Sequence, residues 1–293
     1  MVAKGFCEYI NELAIKALLY EVSVTPKPGL VDRNNSGAHD DMDFFTFMDS
    51  VASLGSIFSQ CAQKGVVFSG SVKNELLKEL RPIGIIGEER MFAATGGINT
   101  HKGLIFSLGI ISAAAGLLYQ KKKSNIFTGD EVCEEVKLIT AGLTQSDFTN
   151  LHKKTKLTHG ERNFTRYGVK GIRGEVESGF ETVRSAGLPV LKTLLSTRKE
   201  SINDILVQVL LYLMQETEDS NIIARHDIET LRYVKASARE ALSLGGIFTT
   251  EGRTKILDMD KDFIHKHISP GGSADLLAVT LMLYFLENPK KIF

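Results

Sequence analysis

The sequence has no excess of charge of either sign: 35 Lys and Arg stand against 35 Asp and Glu. That balance supplies no long-range field for nucleic acid or an anionic membrane, so any polyanion must be held by a local cluster and be small. Cysteine is scarce and unpatterned. Cys7, Cys61 and Cys133 are odd in number, far apart and outside any CxxC spacing, which argues against a disulfide framework or a structural zinc site and fits a reducing cytoplasm. The N-terminus has no apolar core and small-residue cleavage site of the kind that marks a secretory signal; Phe6, Ile10, Leu13, Ala17 and Tyr20 instead recur at helical spacing. Proline- or serine-rich linkers, low-complexity tracts and fixed-period repeats are also missing, so residues 1–293 are expected to form one domain.

Convincing strand alternation is absent too, and helical periodicity dominates. Phe44, Phe47, Met48, Val51, Leu54, Phe58 and Cys61 form one apolar stripe, residues 202–213 another and residues 222–242 a third. Further helices are predicted over about 71–90, 129–141, 174–196, 254–267 and 272–287. The run GLIFSLGIISAAAGLLY, Gly103 to Tyr119, is apolar all round; its glycines and serines suit the centre of a helical core that neighbours approach closely better than a membrane span. The expected fold class is therefore all-α, a compact single-domain multi-helix bundle whose polar, Gly-rich loops gather at one active site.

Those loops carry the chemistry. TPKPGLVDRNNSGAHDDMD (Thr25 to Asp43) places Asp40, Asp41 and Asp43 at the start of a helix. Carboxylates there cap backbone N–H groups and complement the helix dipole, but Mg²⁺ also takes carboxylate and phosphate oxygens, so the residues alone leave caps and metal ligands evenly balanced. TGGINTHKG brings Gly96, Gly97, Asn99, His101 and Lys102 to a helix N-terminus, a plausible phosphate cradle without the spacing of a P-loop. ERNFTRYGVKGIRGE supplies Arg162, Arg166, Lys170 and Arg173 among glycines, suited to a polyphosphate or to an ordinary surface loop. Asp219 and Asn221 open a further helix, as a cap, as metal ligands or as partners of ribose hydroxyls. The dipeptide His-Asp at 39–40 and 226–227 invites comparison with HD phosphohydrolases, a motif too short to be specific.

Taken together, TPKPGLVDRNNSGAHDDMD, GEERMFAATGGINTHKGLIFSLG, THGERNFTRYGVKGIRGEVESGF, DSNIIARHD and PGGSADLLA resemble the triphosphoribosyl-dephospho-CoA synthase family over about Glu21 to Leu286, in its free-standing form without a fused carrier-protein transferase. The resemblance implies a cytoplasmic transferase that converts ATP and 3′-dephospho-CoA to 2′-(5″-triphosphoribosyl)-3′-dephospho-CoA and adenine. It implies a product handed to a separate carrier-protein transferase for citrate lyase or, in a sister branch, malonate decarboxylase. It also implies no nucleic-acid or membrane partner, and oligomeric state stays open.

On that reading Asp40, Asp41 and Asp43 hold Mg²⁺, and Lys27, Lys102 and Arg173 hold phosphates. Gly96, Gly97 and Asn99, with Asp219 and Asn221, contact the nucleotide. Asp41 stabilises charge, and His101 or Glu89 moves a proton. The competing readings are a metal-dependent ADP-ribosyl glycohydrolase-like enzyme, an HD-type phosphohydrolase and a helical nucleotide-binding protein without turnover.

Overall fold

Two helices with almost no polar face set the architecture. In the computed structural model, which describes residues 2–149, 151 and 157–289, helix α5 (Lys102–Lys122) and helix α15 (Gly271–Glu287) are buried along nearly their whole length. Amphipathic helices α1 (Val2–Ser23), α3 (Ile57–Val67), α4 (Glu75–Ala94), α6 (Gly129–Thr140), α10 (Leu188–Thr197) and α11 (Ile202–Glu216) pack on them, while α2 (Phe44–Leu54) packs on α4, α13 (Ile228–Ser243) on α11, and α14 (Thr250–His265) on α13. Short helices α7 (Leu143–Phe148), α8 (His159–Tyr167), α9 (Gly171–Glu177) and α12 (Ser220–Arg225) lie between them. No strand occurs among the described residues, and one contiguous apolar core runs from Phe6 to Leu286.

The small residues of α5 act as expected. A side-chain carbon on Gly65 would lie 2.0 Å from the Ala113 carbonyl oxygen, and one on Gly116 2.2 Å from that of Ala62, so α3 and α5 pack backbone to backbone. Helix α5 is long and apolar enough to cross a membrane, yet here it is enclosed by α3, α4, α6 and α15. Cys7, Cys61 and Cys133 are buried free thiols.

Three predicted helices are interrupted. The stripe over residues 44–61 breaks at Gly55, whose φ of 35° ends α2. The 174–196 segment breaks after α9, where Gly179 and Phe180 both have positive φ and a π-helical turn, Val183–Gly187, leads into α10. The 222–242 segment splits because Asp227 caps α13 by accepting from the Thr230 N–H. Each break is a local cap or turn that does not shift the apolar spacing on either side, so periodicity alone reads through it.

Candidate active site at the junction of the loops

The loop from Thr25 to Asp43 is organised by two carboxylates. Asp32 accepts from the Thr25 hydroxyl at 2.7 Å and from the backbone N–H groups of Lys27, Asn34 and Asn35 at 2.6–3.1 Å. Asp260 of α14 accepts from the Gly29 N–H at 2.9 Å and the Asn35 amide at 3.0 Å. Gly29 has φ 70°, and a Cβ there would sit 2.2 Å from the Ile268 carbonyl oxygen; only glycine lets the loop rest on the segment before α15. The His39 ring reaches the same segment through Ser269, 2.9 Å away. Burial and Arg225 hold its pKa below the ordinary value, against the opposing effect of Asp41.

Asp219 joins two further motifs. Its buried carboxylate accepts from the N–H groups of Asn221 and Ile222 in α12 and of Ser273 in α15, at 3.0–3.4 Å. The Asn163 amide of α8 donates to the Ser220 carbonyl at 2.9 Å, and Gly171 at the start of α9 packs on Ser220. Thus the segments read as chemical in the sequence meet at the ends of α5 and α15.

At the head of α5, Gly96 (φ 64°) and Gly97 (φ 92°) face open space, leaving backbone accessible as a nucleotide site requires. Exposed Asn99 accepts from the Lys102 N–H at 3.3 Å. Lys102 pairs with Glu88 at 2.7 Å and Arg173 with Asp147 at 2.6 Å. These four side chains share a groove of about 410 Å³ with Arg81 and with apolar walls that include Leu80, Phe106 and Ile172. Glu89, by contrast, is exposed and does not line the groove: the acid that α4 turns inward is its neighbour Glu88.

Beneath this surface lies a set of buried polar side chains. Lys27 is 1% exposed; its ammonium donates to the Glu21 carbonyl at 2.9 Å and makes a very short contact with the Glu21 carboxylate. Lys27 is therefore held away from any incoming phosphate. His101 is wholly buried, with Nδ1 2.7 Å from the Ser50 hydroxyl and Nε2 without a partner among the described residues. Burial, with Lys27 nearby, pushes its pKa down to about 3, so the ring is neutral at physiological pH and is closed off from a substrate. The ring expected to move a proton thus lies beneath the surface.

The same burial makes a pH prediction. The folded-state pKa of His101 lies below its unfolded value of about 6.5, so its contribution is complete above that pH and is lost as pH falls towards 3. Between pH 7 and pH 5 the wild type should lose about 2 kcal/mol more stability than His101→Gln, as measured by urea unfolding at both pH values. Parallel pH dependence in the two proteins would refute it.

The aspartates at 40–43 are divided between a helix cap and solvent. Asp43 accepts from the Thr46 N–H at 2.9 Å and its hydroxyl at 2.8 Å, forming a capping box at α2. Asp40 and Asp41 are exposed, Asp41 lying 3.7 Å from His39 Nδ1. Among the described residues no group of three His, Cys, Asp or Glu side chains is placed to hold a metal ion. Glu21, Asp32, Asp260 and Asp275 were not singled out by sequence. The available signal was an acid inside an otherwise apolar helix: Asp275 is the one charged residue of α15 before Glu287.

Comparison with known proteins identifies the family of the chain. Residues 7–292 match the family described as CitG: ATP:dephospho-CoA triphosphoribosyl transferase. A Streptococcus pyogenes serotype M5 (strain Manfredo) protein named "Probable 2-(5''-triphosphoribosyl)-3'-dephosphocoenzyme-A synthase" is 40% identical over 295 residues, covering 98% of this chain and 99% of its own. A protein of the same name from serotype M49 (strain NZ131) matches to the same extent. A crystal structure from Archaeoglobus fulgidus, assigned to a triphosphoribosyl-dephospho-coA synthase, is 18% identical and covers 82% of this chain and 99% of its own, with a TM-score of 0.46.

Proposed function

Because the chain belongs to the ATP:dephospho-CoA triphosphoribosyl transferase family, we propose that it transfers the triphosphoribosyl group of ATP to the 2′-hydroxyl of 3′-dephospho-CoA and releases adenine. The match over residues 7–292 carries this reading. The convergence of the loops on the heads of α5 and α15 supports it.

The reaction replaces an N-glycosidic bond by an O-glycosidic one through a state with positive charge on the ribosyl carbon, while the triphosphate stays attached and must be held throughout. Lys102 and Arg173 are the proposed phosphate ligands, and each would exchange its present carboxylate partner, Glu88 or Asp147, for phosphate oxygens. The open backbone at Gly96 and Gly97, with Asn99, is the proposed nucleotide contact, and Asn221, which lies against Gly271 at the start of α15, is proposed as a further one. Asp219 is proposed to shape that contact through the backbone it holds. Mg²⁺ is kept as a companion of the ATP triphosphate rather than of a preformed carboxylate site. We place the whole chain in the cytoplasm as one synthase domain, passing its product to a carrier-protein transferase of the citrate lyase system.

The test is incubation with ATP and 3′-dephospho-CoA followed by product masses. Adenine together with a CoA derivative heavier by one triphosphoribosyl group is the expected result. Free ribose triphosphate would replace this reading by hydrolysis, and ADP or AMP by phosphohydrolase chemistry.

A further inference from the structure

Asp275 is a carboxylate with no structural occupation. It projects from the first turns of α15, keeps an opening to solvent, and makes no hydrogen bond or ion pair with any described residue. The two acids whose charges act on it are tied down, Glu21 by Lys27 and Asp219 by backbone N–H groups. Its Oδ2 fills the space a side chain would take at Gly103, where a Cβ would lie 2.2 Å away. Gly103 is also part of the wall of the groove that holds Lys102 and Arg173. A single glycine without a side chain therefore separates this free carboxylate from the cationic groove.

The fold gains nothing from such a group. Burial, Glu21 and Asp219 all push the Asp275 carboxyl well above the usual carboxylate range, and no donor offsets them. An acid kept at a cost in stability beside a cleft, with no partner, is characteristic of a functional group. Carboxylates in such surroundings are also stronger bases than exposed ones when ionised.

We propose that Asp275 is the catalytic base of the transfer, accepting the proton of the 2′-hydroxyl of 3′-dephospho-CoA as that oxygen attacks the ribosyl carbon of ATP. The O–C1″ bond forms and the C1″–N9 bond breaks, its electron pair leaving with adenine. The proton taken by Asp275 passes through solvent to the departing base, which restores the carboxylate. The proposal rests on the reaction assigned above, and it gives Gly103 its role, since a side chain there would displace the base.

Asp275→Asn, which keeps the shape and removes the basicity, tests it in the full chain. We expect kcat for adenine release to fall about 100-fold or more, with KM for both substrates within roughly threefold. The Tm should equal or exceed that of the wild type, because an unpaired, desolvated charge has been removed. A wild type that turns over beside an Asp275→Asn variant within roughly fivefold of it overturns the proposal alone. So does a variant that unfolds or loses about 5 °C or more in Tm, since that makes Asp275 structural. A wild type that releases no adenine overturns the assigned reaction and this step with it.

Discussion

Replacing Lys27 by Met should lower folding stability by about 3–5 kcal/mol, because it strands the Glu21 carboxylate in the interior without its counter-ion. The pair is closed to water on both sides, with Lys27 1% and Glu21 3% exposed. A buried charge left alone costs far more than the intact pair contributes, since desolvation of Glu21 is no longer offset by the ammonium. The loss should fall mainly on Glu21, so Lys27→Met combined with Glu21→Gln should recover much of it. A double-mutant cycle in urea, with coupling of about 2 kcal/mol or more, is the expected signature. A Lys27→Met loss below about 1 kcal/mol would instead mean that Lys27 reaches solvent and is free to meet phosphate.

Asp219→Ala should cost about 3–5 kcal/mol, the second large effect. The carboxylate is the acceptor for the N–H groups of Asn221, Ile222 and Ser273, and the site is too closely packed for water to replace it easily: a Cβ on Gly272 would lie 2.9 Å from the Asp219 carboxyl carbon. Each buried donor left unmade carries a penalty of about 1–3 kcal/mol, and the loss of a helix cap adds to it. Asp219→Asn keeps one acceptor oxygen and should lie between wild type and Ala. Urea unfolding of the three proteins measures the series. Adenine release at a temperature where all three remain folded should fall in the same order, since Asp219 ties α12 to the head of α15. Equal stability across the series would remove Asp219 as the link.

The sequence by itself determined the all-α class, the apolar central helix α5 and the Gly-rich polar connections between helices, because each is written in local signals. A 3.6-residue apolar period shows which face of a helix is buried, and glycine clusters mark where backbone must turn or stay bare. Lys102, Arg173, Gly96 and Gly97 stand out in the sequence for that reason, and their part in the site is a proposal. What each titratable group does was decided by tertiary structure alone. Lys27 sits in the most charge-rich loop and reads as a phosphate ligand, yet the packing of α1 beneath that loop draws it to Glu21. His101 follows an accessible Gly-Gly turn, yet α2 covers it through Ser50. Asp40, Asp41 and Asp43 are neighbours in sequence, but Asp43 is turned aside to cap α2. Asp275 reads as an isolated acid in a greasy helix until α5 brings Gly103 and the groove beside it. A carboxylate, an imidazole or an ammonium has the same formula whether it is capping, paired, buried or free; its charge state and reach depend on desolvation and on partners far away in the chain, which only the folded packing supplies.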